Sequence, residues 1–307
     1  MVALLFPGQG SQFVGMGHDL VSASPAAREV FEEADSVLGF SLSRLCFEGD
    51  DVELTRTSNT QPAILAHSVA VLRSLGDQVG KVALAAGHSL GEFTAYVAAG
   101  SLSLADALRT VRRRGELMES SGRERPGTMA AILGLDDASV EKVCRAAAAE
   151  GGECVAANFN APNQVVISGD IPTVERALEI AREAGARRAI RLNVSGAFHS
   201  PLMRVAEPGL AAHLDTVTLA PGRFPVVSNV TAKPVQDVVD ARRLLLQQLV
   251  SPVHWTASIQ TMLDAGVNRF LELGPGTVLT GLMKRAGRAV EARAIGTADD
   301  LRAFQSA

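Results

Sequence analysis

The sequence predicts an α/β protein, a parallel-sheet body with a smaller unit of ferredoxin-like order set into it. Two short apolar runs, Val2 to Phe6 and Val82 to Ala86, stop at glycine-bearing loops, and the second leads into a helical pattern from Glu92 onward. Between Thr128 and Asn193 the texture changes to strands and helices in the order β-α-β-β-α-β, an arrangement able to close around its own core. With 307 residues, 47% hydrophobic and 20% charged, the chain has the material for one large core and one small one.

Taken in order, Val2 to Phe6 reads as a buried strand ended by Pro7-Gly8, and Val82 to Ala86 as its partner. The helix from Leu104 to Met118 has Leu104, Leu108, Val111, Gly115 and Met118 on one stripe. In the small unit, Met129 to Leu133 is a strand and Ala138 to Ala149 an alanine-rich helix. Strands near Cys154 to Asn158 and Gln164 to Ser168 flank the turn-prone Asn160-Ala161-Pro162-Asn163. A helix from Pro172 to Ala184 and a strand from Arg187 to Leu192 complete it. The expected division is therefore a large domain from residues 1-126 and 194-307 and an inserted subdomain from 127-193. Runs at Phe224 to Val230 and Arg269 to Leu273 add strands to the large sheet, and Gly274-Pro275-Gly276 turns the chain into a final helix.

Composition excludes several classes. Aromatics are only 4%, so the core is built mainly from Ala, Val, Leu and Ile. A net charge of -4 offers no basic field for nucleic acid, and Arg112-Arg113-Arg114 reads first as a solvated helix face. Cys46, Cys144 and Cys154 have neither metal-ligand spacing nor an even count, which points to a reducing compartment. The N-terminus lacks a charged region and its apolar run is too short for a signal peptide. No apolar stretch reaches the ~18 residues a membrane helix needs, so the expected location is the cytoplasm.

The sharpest chemical signal is Gly87-His88-Ser89-Leu90-Gly91, a Gly-x-Ser-x-Gly sequence between a predicted strand and a predicted helix. Such a turn is so tight that small residues must flank the serine, which projects where a substrate can reach it. The helix start also turns backbone N–H groups toward developing negative charge. These features make the large domain α/β-hydrolase-like. A serine hydroxyl needs a base to take its proton. Of the six histidines, His18, His67 and His213 lie in helical patterns, and His88 should point away from its neighbour under the turn. His199, in Ser195-Gly196-Ala197-Phe198-His199-Ser200-Pro201 at the junction of the two units, is the candidate base.

Phe6-Pro7-Gly8-Gln9-Gly10-Ser11-Gln12, Gly87-His88-Ser89-Leu90-Gly91-Glu92 and Gly196-Ala197-Phe198-His199-Ser200-Pro201-Leu202-Met203 together resemble malonyl-CoA:acyl carrier protein transacylases. The same family includes the acyltransferase domains of polyketide and fatty acid synthases. Thr60-Gln61-Pro62-Ala63, Asn160-Ala161-Pro162-Asn163-Gln164, Pro252-Val253-His254-Trp255 and Glu272-Leu273-Gly274-Pro275-Gly276 extend the resemblance over essentially the whole chain. No ketosynthase or carrier module flanks these motifs, so the stand-alone enzyme of type II fatty acid synthesis is the nearest match.

The resemblance implies a ping-pong transfer of malonyl from coenzyme A to the phosphopantetheine thiol of acyl carrier protein, through an ester on Ser89 with His199 as base. It implies that the main-chain carbonyl of Gln248, four residues before Pro252, orients that histidine, and that the Gln9 and Leu90 N–H groups form the oxyanion hole. Gly8-Gln9-Gly10 is not a dinucleotide fingerprint, because Phe13 stands where its third glycine belongs. No cofactor and no metal are expected, and the enzyme is expected to be a monomer.

Malonyl carries a carboxylate, and arginine suits it because its fork binds both oxygens. At about 100° per residue, Arg113 points opposite the apolar stripe while Arg112 and Arg114 flank it. The spacing leaves those two open, and the family pattern, an arginine just before this glycine, selects Arg114. Phe198 resembles the malonyl-selective version of its loop, where a ring crowds an α-methyl group. Lys284, Arg285 and Arg288 on the last helix are candidates for meeting an acidic carrier, although a charged surface helix accounts for them too. The rival readings are a serine thioesterase with the same elbow, a carrier-docking subunit with a vestigial serine, and a malonyl transacylase of a polyketide or malonate decarboxylase system.

Overall fold

The computed structural model describes residues 1–285 and 290–306. Among these, ten strands form two sheets. The strands of the large sheet are β1 (Val2–Phe6), β2 (Val82–Gly87), β7 (Val226–Val227), β8 (Pro234–Val235), β9 (Arg269–Leu273) and β10 (Glu291–Ile295). The small sheet holds β3 (Gly127–Leu133), β4 (Cys154–Ala161), β5 (Gln164–Asp170) and β6 (Arg188–Arg191).

The large sheet runs in the order β10-β9-β1-β2-β7-β8. All neighbours are parallel except β7 and β8 at one edge. Central β1 is Val-Ala-Leu-Leu-Phe, and its last four residues are buried, as a strand covered on both faces requires. One face packs under the helices Pro25–Leu38, Thr57–Leu75 and Leu90–Ala99. The other packs against Trp255, Ile259 and Met262 of the helix Trp255–Asp264.

The small sheet is antiparallel throughout, in the order β4-β5-β3-β6. In chain order that is 2-3-1-4, the ferredoxin-like arrangement. The helices Asp137–Ala148 and Ile171–Glu183 pack on it around Ile132, Val140, Val165, Ile167 and Val174, a core separate from that of the large body. Each helix is opened by an aspartate, Asp136 or Asp170, whose side chain accepts from the third N–H of its helix. The small sheet is stitched to the body by backbone bonds: Phe159 N–H to the Val253 carbonyl at 2.9 Å and Val253 N–H to the Ala157 carbonyl at 2.8 Å.

Three elements differ from the sequence expectation. The run Phe224 to Val230 forms a strand only over Val226–Val227, because the chain turns back at Ser228, whose N–H reaches the Lys233 carbonyl at 3.0 Å. The helix after Gly274-Pro275-Gly276 covers only Val278–Met283 and is not the last element. β10 and the helix Ala298–Gln305 follow it. β10 reads Glu-Ala-Arg-Ala-Ile at a sheet edge and lacks the continuous apolar run of an inner strand. Lys284 and Arg285 therefore lie just past a helix end, both exposed, with Arg285 bonded to the Gln164 side chain, and Arg288 lies outside the described residues. Among the described residues no helix is long and apolar enough to cross a membrane.

Candidate active site

Ser89 stands between β2 and the helix Leu90–Ala99 with φ 52° and ψ −109°, a conformation that costs a residue with a Cβ about 1–3 kcal/mol. Two glycines make it possible. A Cβ on Gly87 would lie 1.9 Å from the Gly91 carbonyl carbon, and one on Gly91 would lie 2.2 Å from the Phe6 carbonyl oxygen. Asn229 clips the bend from outside, accepting the Ser89 N–H at 2.7 Å and donating to the Gly87 carbonyl at 2.8 Å.

His199 also has a left-handed backbone, φ 57°, and is buried. Its Nδ1 lies 2.9 Å from the Gln248 main-chain carbonyl and its Nε2 lies 2.8 Å from Ser89 Oγ. A carbonyl can only accept, so Nδ1 carries the proton and Nε2 offers its lone pair to the serine hydroxyl. Burial first, and then the neighbouring Arg114 charge, hold the imidazole down at about 3, so it is neutral near pH 7.

Arg114 is almost completely buried on the helix Leu104–Glu124. Its Nη2 donates to Ser89 Oγ at 3.0 Å and to Gln248 Oε1 at 2.9 Å, and Nη1 donates to Gln61 Oε1 at 2.9 Å. Burial lowers it only to about 10, so the guanidinium stays charged. Gly115 lets this helix approach the start of the helix Thr57–Leu75, since a Cβ there would lie 2.6 Å from the Thr57 carbonyl oxygen. That approach brings Gln61 to Arg114. It also brings Arg112 to the Ser58 carbonyl at 3.2 Å, an acceptor left open because Pro62 has no N–H to give it. Arg112 bonds to Asn59 and Glu116 as well, and Arg113 is exposed, so neither reaches the serine.

Ser89, His199, Arg114, Gln9, Leu90 and Phe198 line one cavity of about 180 Å³, closed on the small-sheet side by Met129, Asn158 and Val166. Gln248 lies buried behind it. Among the described residues neither the Gln9 nor the Leu90 N–H meets a protein acceptor. The cavity adjoins a hollow of about 490 Å³ that shares Gln9 and Val194 with it. His88 points away beneath the turn, bonded to Asn160 Oδ1 at 2.8 Å, with its ring centre 5.5 Å from that of Trp255.

Sequence reasoning gave no role to Asn229, Gln61 or Glu92. Gln61 and Glu92 sat inside quoted motifs, where their contacts to Arg114 and Gln248 had no sequence signal. Asn229 is 140 positions from Ser89, in a run that read as strand.

A serine hydroxyl, a neutral imidazole and a buried guanidinium thus meet in one cavity. The acyl transferase domain model matches residues 3–306. The malonyl CoA-acyl carrier protein transacylase of Bacillus subtilis (strain 168) is 47% identical over 294 residues, 96% of this chain and 93% of its own length. The protein of the same name from Escherichia coli (strain K12) is 47% identical over 284 residues, 92% of each chain. A solved structure of a type II PKS acyl-carrier protein in complex with its malonyl-transacylase superimposes with a TM-score of 0.96 at 42% identity, covering 100% of this chain and 99% of that one. Ser89, His199 and the buried Arg114 sit in a chain that belongs to the malonyl CoA-acyl carrier protein transacylases, within the acyl transferase family.

Proposed function

We propose that the chain transfers malonyl from malonyl-CoA to the phosphopantetheine thiol of acyl carrier protein through a malonyl ester on Ser89. The observation that carries this reading is the placement of Ser89 Oγ between a neutral imidazole, 2.8 Å away, and a buried guanidinium, 3.0 Å away. A base next to the hydroxyl suits nucleophilic attack, and a buried cation suits an acyl group that ends in a carboxylate.

In the first half-reaction His199 Nε2 takes the Ser89 proton as Oγ attacks the thioester carbonyl. The Gln9 and Leu90 N–H groups receive the oxyanion, a contribution of about 3–4 kcal/mol for each such donor. The carbon–sulfur bond then breaks, and His199 returns the proton to the departing coenzyme A thiolate. In the second, His199 deprotonates the carrier thiol, which attacks the ester and restores the Ser89 hydroxyl. Arg114 holds the malonyl carboxylate. Pairing offsets its charge, and since that charge helps to depress His199, a carboxylate-bearing substrate restores basicity to its own catalyst. The inner cavity has room for the acyl group, and the adjoining hollow takes the pantetheine arm. Phe198, buried beside His199, narrows the space an α-methyl group would need.

We further propose that residues 127-193 act as an inserted subdomain forming one wall of the acyl cavity, which their separate core supports. The enzyme works as a cytoplasmic monomer without cofactor or metal, a reading in keeping with three buried free cysteines. Intact mass spectrometry after mixing with malonyl-CoA is the test. Wild type gains one malonyl group, Ser89→Ala gains none, and holo carrier protein removes the adduct from wild type. Release of free malonate at the same rate without carrier would identify a hydrolase instead.

A further inference from the structure

Glu92 is fully buried in the first turn of the helix that follows Ser89, and no step above uses it. Its Oε2 accepts from Gln248 Nε2 at 2.6 Å and from the Asn229 N–H at 3.1 Å. The same Gln248 amide turns its oxygen to Arg114 Nη2 at 2.9 Å. Carboxylate, carboxamide and guanidinium thus stand in one buried line. The two ends of an amide differ, one donating and one accepting. With a carboxylate on one side and a guanidinium on the other, only the observed orientation satisfies both.

Among the described residues Arg114 donates hydrogen bonds only to neutral acceptors, Gln61, Ser89 and the Gln248 amide. The carboxylate whose charge reaches it is that of Glu92, one amide away. A direct ion pair would occupy the fork. A negative charge held behind an amide supports the guanidinium and leaves it open toward the cavity. We propose that Glu92 is a positioning residue for acyl selection: through the Gln248 amide it holds Arg114 ready for an acyl group that bears a carboxylate.

The proposal rests on the reading that Arg114 receives the malonyl carboxylate. Burial pushes Glu92 up to about 7, against the pull of the Gln248 and Asn229 donors and the Arg114 charge. The competing explanation is that Glu92 only braces the serine turn by accepting the Asn229 N–H. A brace would slow every acyl substrate alike, whereas a positioning role separates malonyl from a neutral acyl group.

The experiment compares ester formation on Ser89 from malonyl-CoA and acetyl-CoA, over a concentration series, in wild type, Glu92→Gln, Gln248→Met and Arg114→Ala. In Glu92→Gln the malonyl-to-acetyl ratio of kcat/KM is expected to fall at least about tenfold, mainly through a higher KM for malonyl-CoA. Gln248→Met, which keeps the main-chain carbonyl and the carboxylate, falls in the same direction, and Glu92→Asp recovers part of the preference. An unchanged ratio in both Glu92→Gln and Gln248→Met, whatever their absolute rates, overturns the proposal. If Glu92→Gln does not fold, Gln248→Met decides alone. Arg114→Ala reports on the underlying reading: a preference surviving there rejects the arginine assignment itself. A preference lost there but kept in the other two rejects only the role of Glu92.

Discussion

Ser89 and His199 both sit on left-handed backbone, at φ 52° and φ 57°, yet different forces hold them there. The serine turn is imposed by sterics: two glycines fit where no other residue can, and the approach of β1 allows no alternative path. The histidine loop is held by hydrogen bonds. Ser200 Oγ donates to the Ala197 carbonyl at 2.6 Å, Met203 N–H donates to the Ser200 carbonyl at 3.0 Å, and the imidazole hangs from Gln248. A steric constraint leaves a glycine pattern in the sequence. A hydrogen-bonded one leaves only a scatter of polar residues, which is why the elbow was legible as an elbow and the histidine only as a candidate.

Substitutions separate the two kinds of constraint, the largest expected effect falling on the histidine. His199→Ala removes the proposed base from an otherwise intact loop. Ester formation from malonyl-CoA should fall about 10²–10⁴-fold with the melting temperature nearly unchanged. Rapid-quench mass spectrometry beside a thermal melt checks both, and a large loss of stability would show the imidazole to be part of the scaffold. Gly91→Ala strikes the steric constraint. Its Cβ meets the backbone at 2.2 Å from the Phe6 oxygen, so stability should drop by about 3 kcal/mol or more in denaturant melts. An unaltered melt would mean that the turn relaxes easily and is not held by sterics.

Acid probes both regions together. His199 and His67 are held by burial at about 3 and about 4, below the ordinary histidine value of 6.5. The unfolded chain therefore binds more protons than the folded one between those values, and stability is lost as pH falls from 6.5 toward 3. Glu92 has the opposite sign: raised to about 7 from 4.5, it takes a proton more readily when folded and offsets part of the loss above 4.5. Urea midpoints should decline from pH 6.5 and decline faster below 4.5; a midpoint that rises on acidification contradicts these assignments. The smallest effect belongs to Ser200→Ala, which removes two loop bonds, one donated to the Ala197 carbonyl and one accepted from the Leu202 N–H, and should cost about 1–2 kcal/mol of stability. Its reading is in the rate: a slower ester formation than that small loss explains would show that the hydroxyl aims the histidine.

Other parts of the fold divide along the same line. The antiparallel small unit was readable strand by strand, because each element is short, amphipathic and bounded by turn residues. Arg114 was reached as one of two flanking arginines because its helix is buried along a single stripe. The helix Thr57–Leu75 shows no such period, since nearly every side chain on it is buried, and Gln61 went without a role for that reason. β10 was missed because an edge strand need not be apolar, and Asn229 because its partners lie about 140 positions away.

The acceptor behind His199 belongs to the main chain, and that sets a chemical limit on what the site can cleave. A neutral carbonyl steadies an imidazolium less than a carboxylate does, so protons must move over a smaller driving force. An amine leaving from an amide would demand more, being useless until protonated. A thiol, which parts with its proton near pH 8.5 in model compounds, departs readily as the anion. A carbonyl in place of an aspartate therefore suits a thioester better than a peptide bond. No side-chain substitution at position 248 can delete that acceptor, so the aim of the imidazole is written into the path of the backbone.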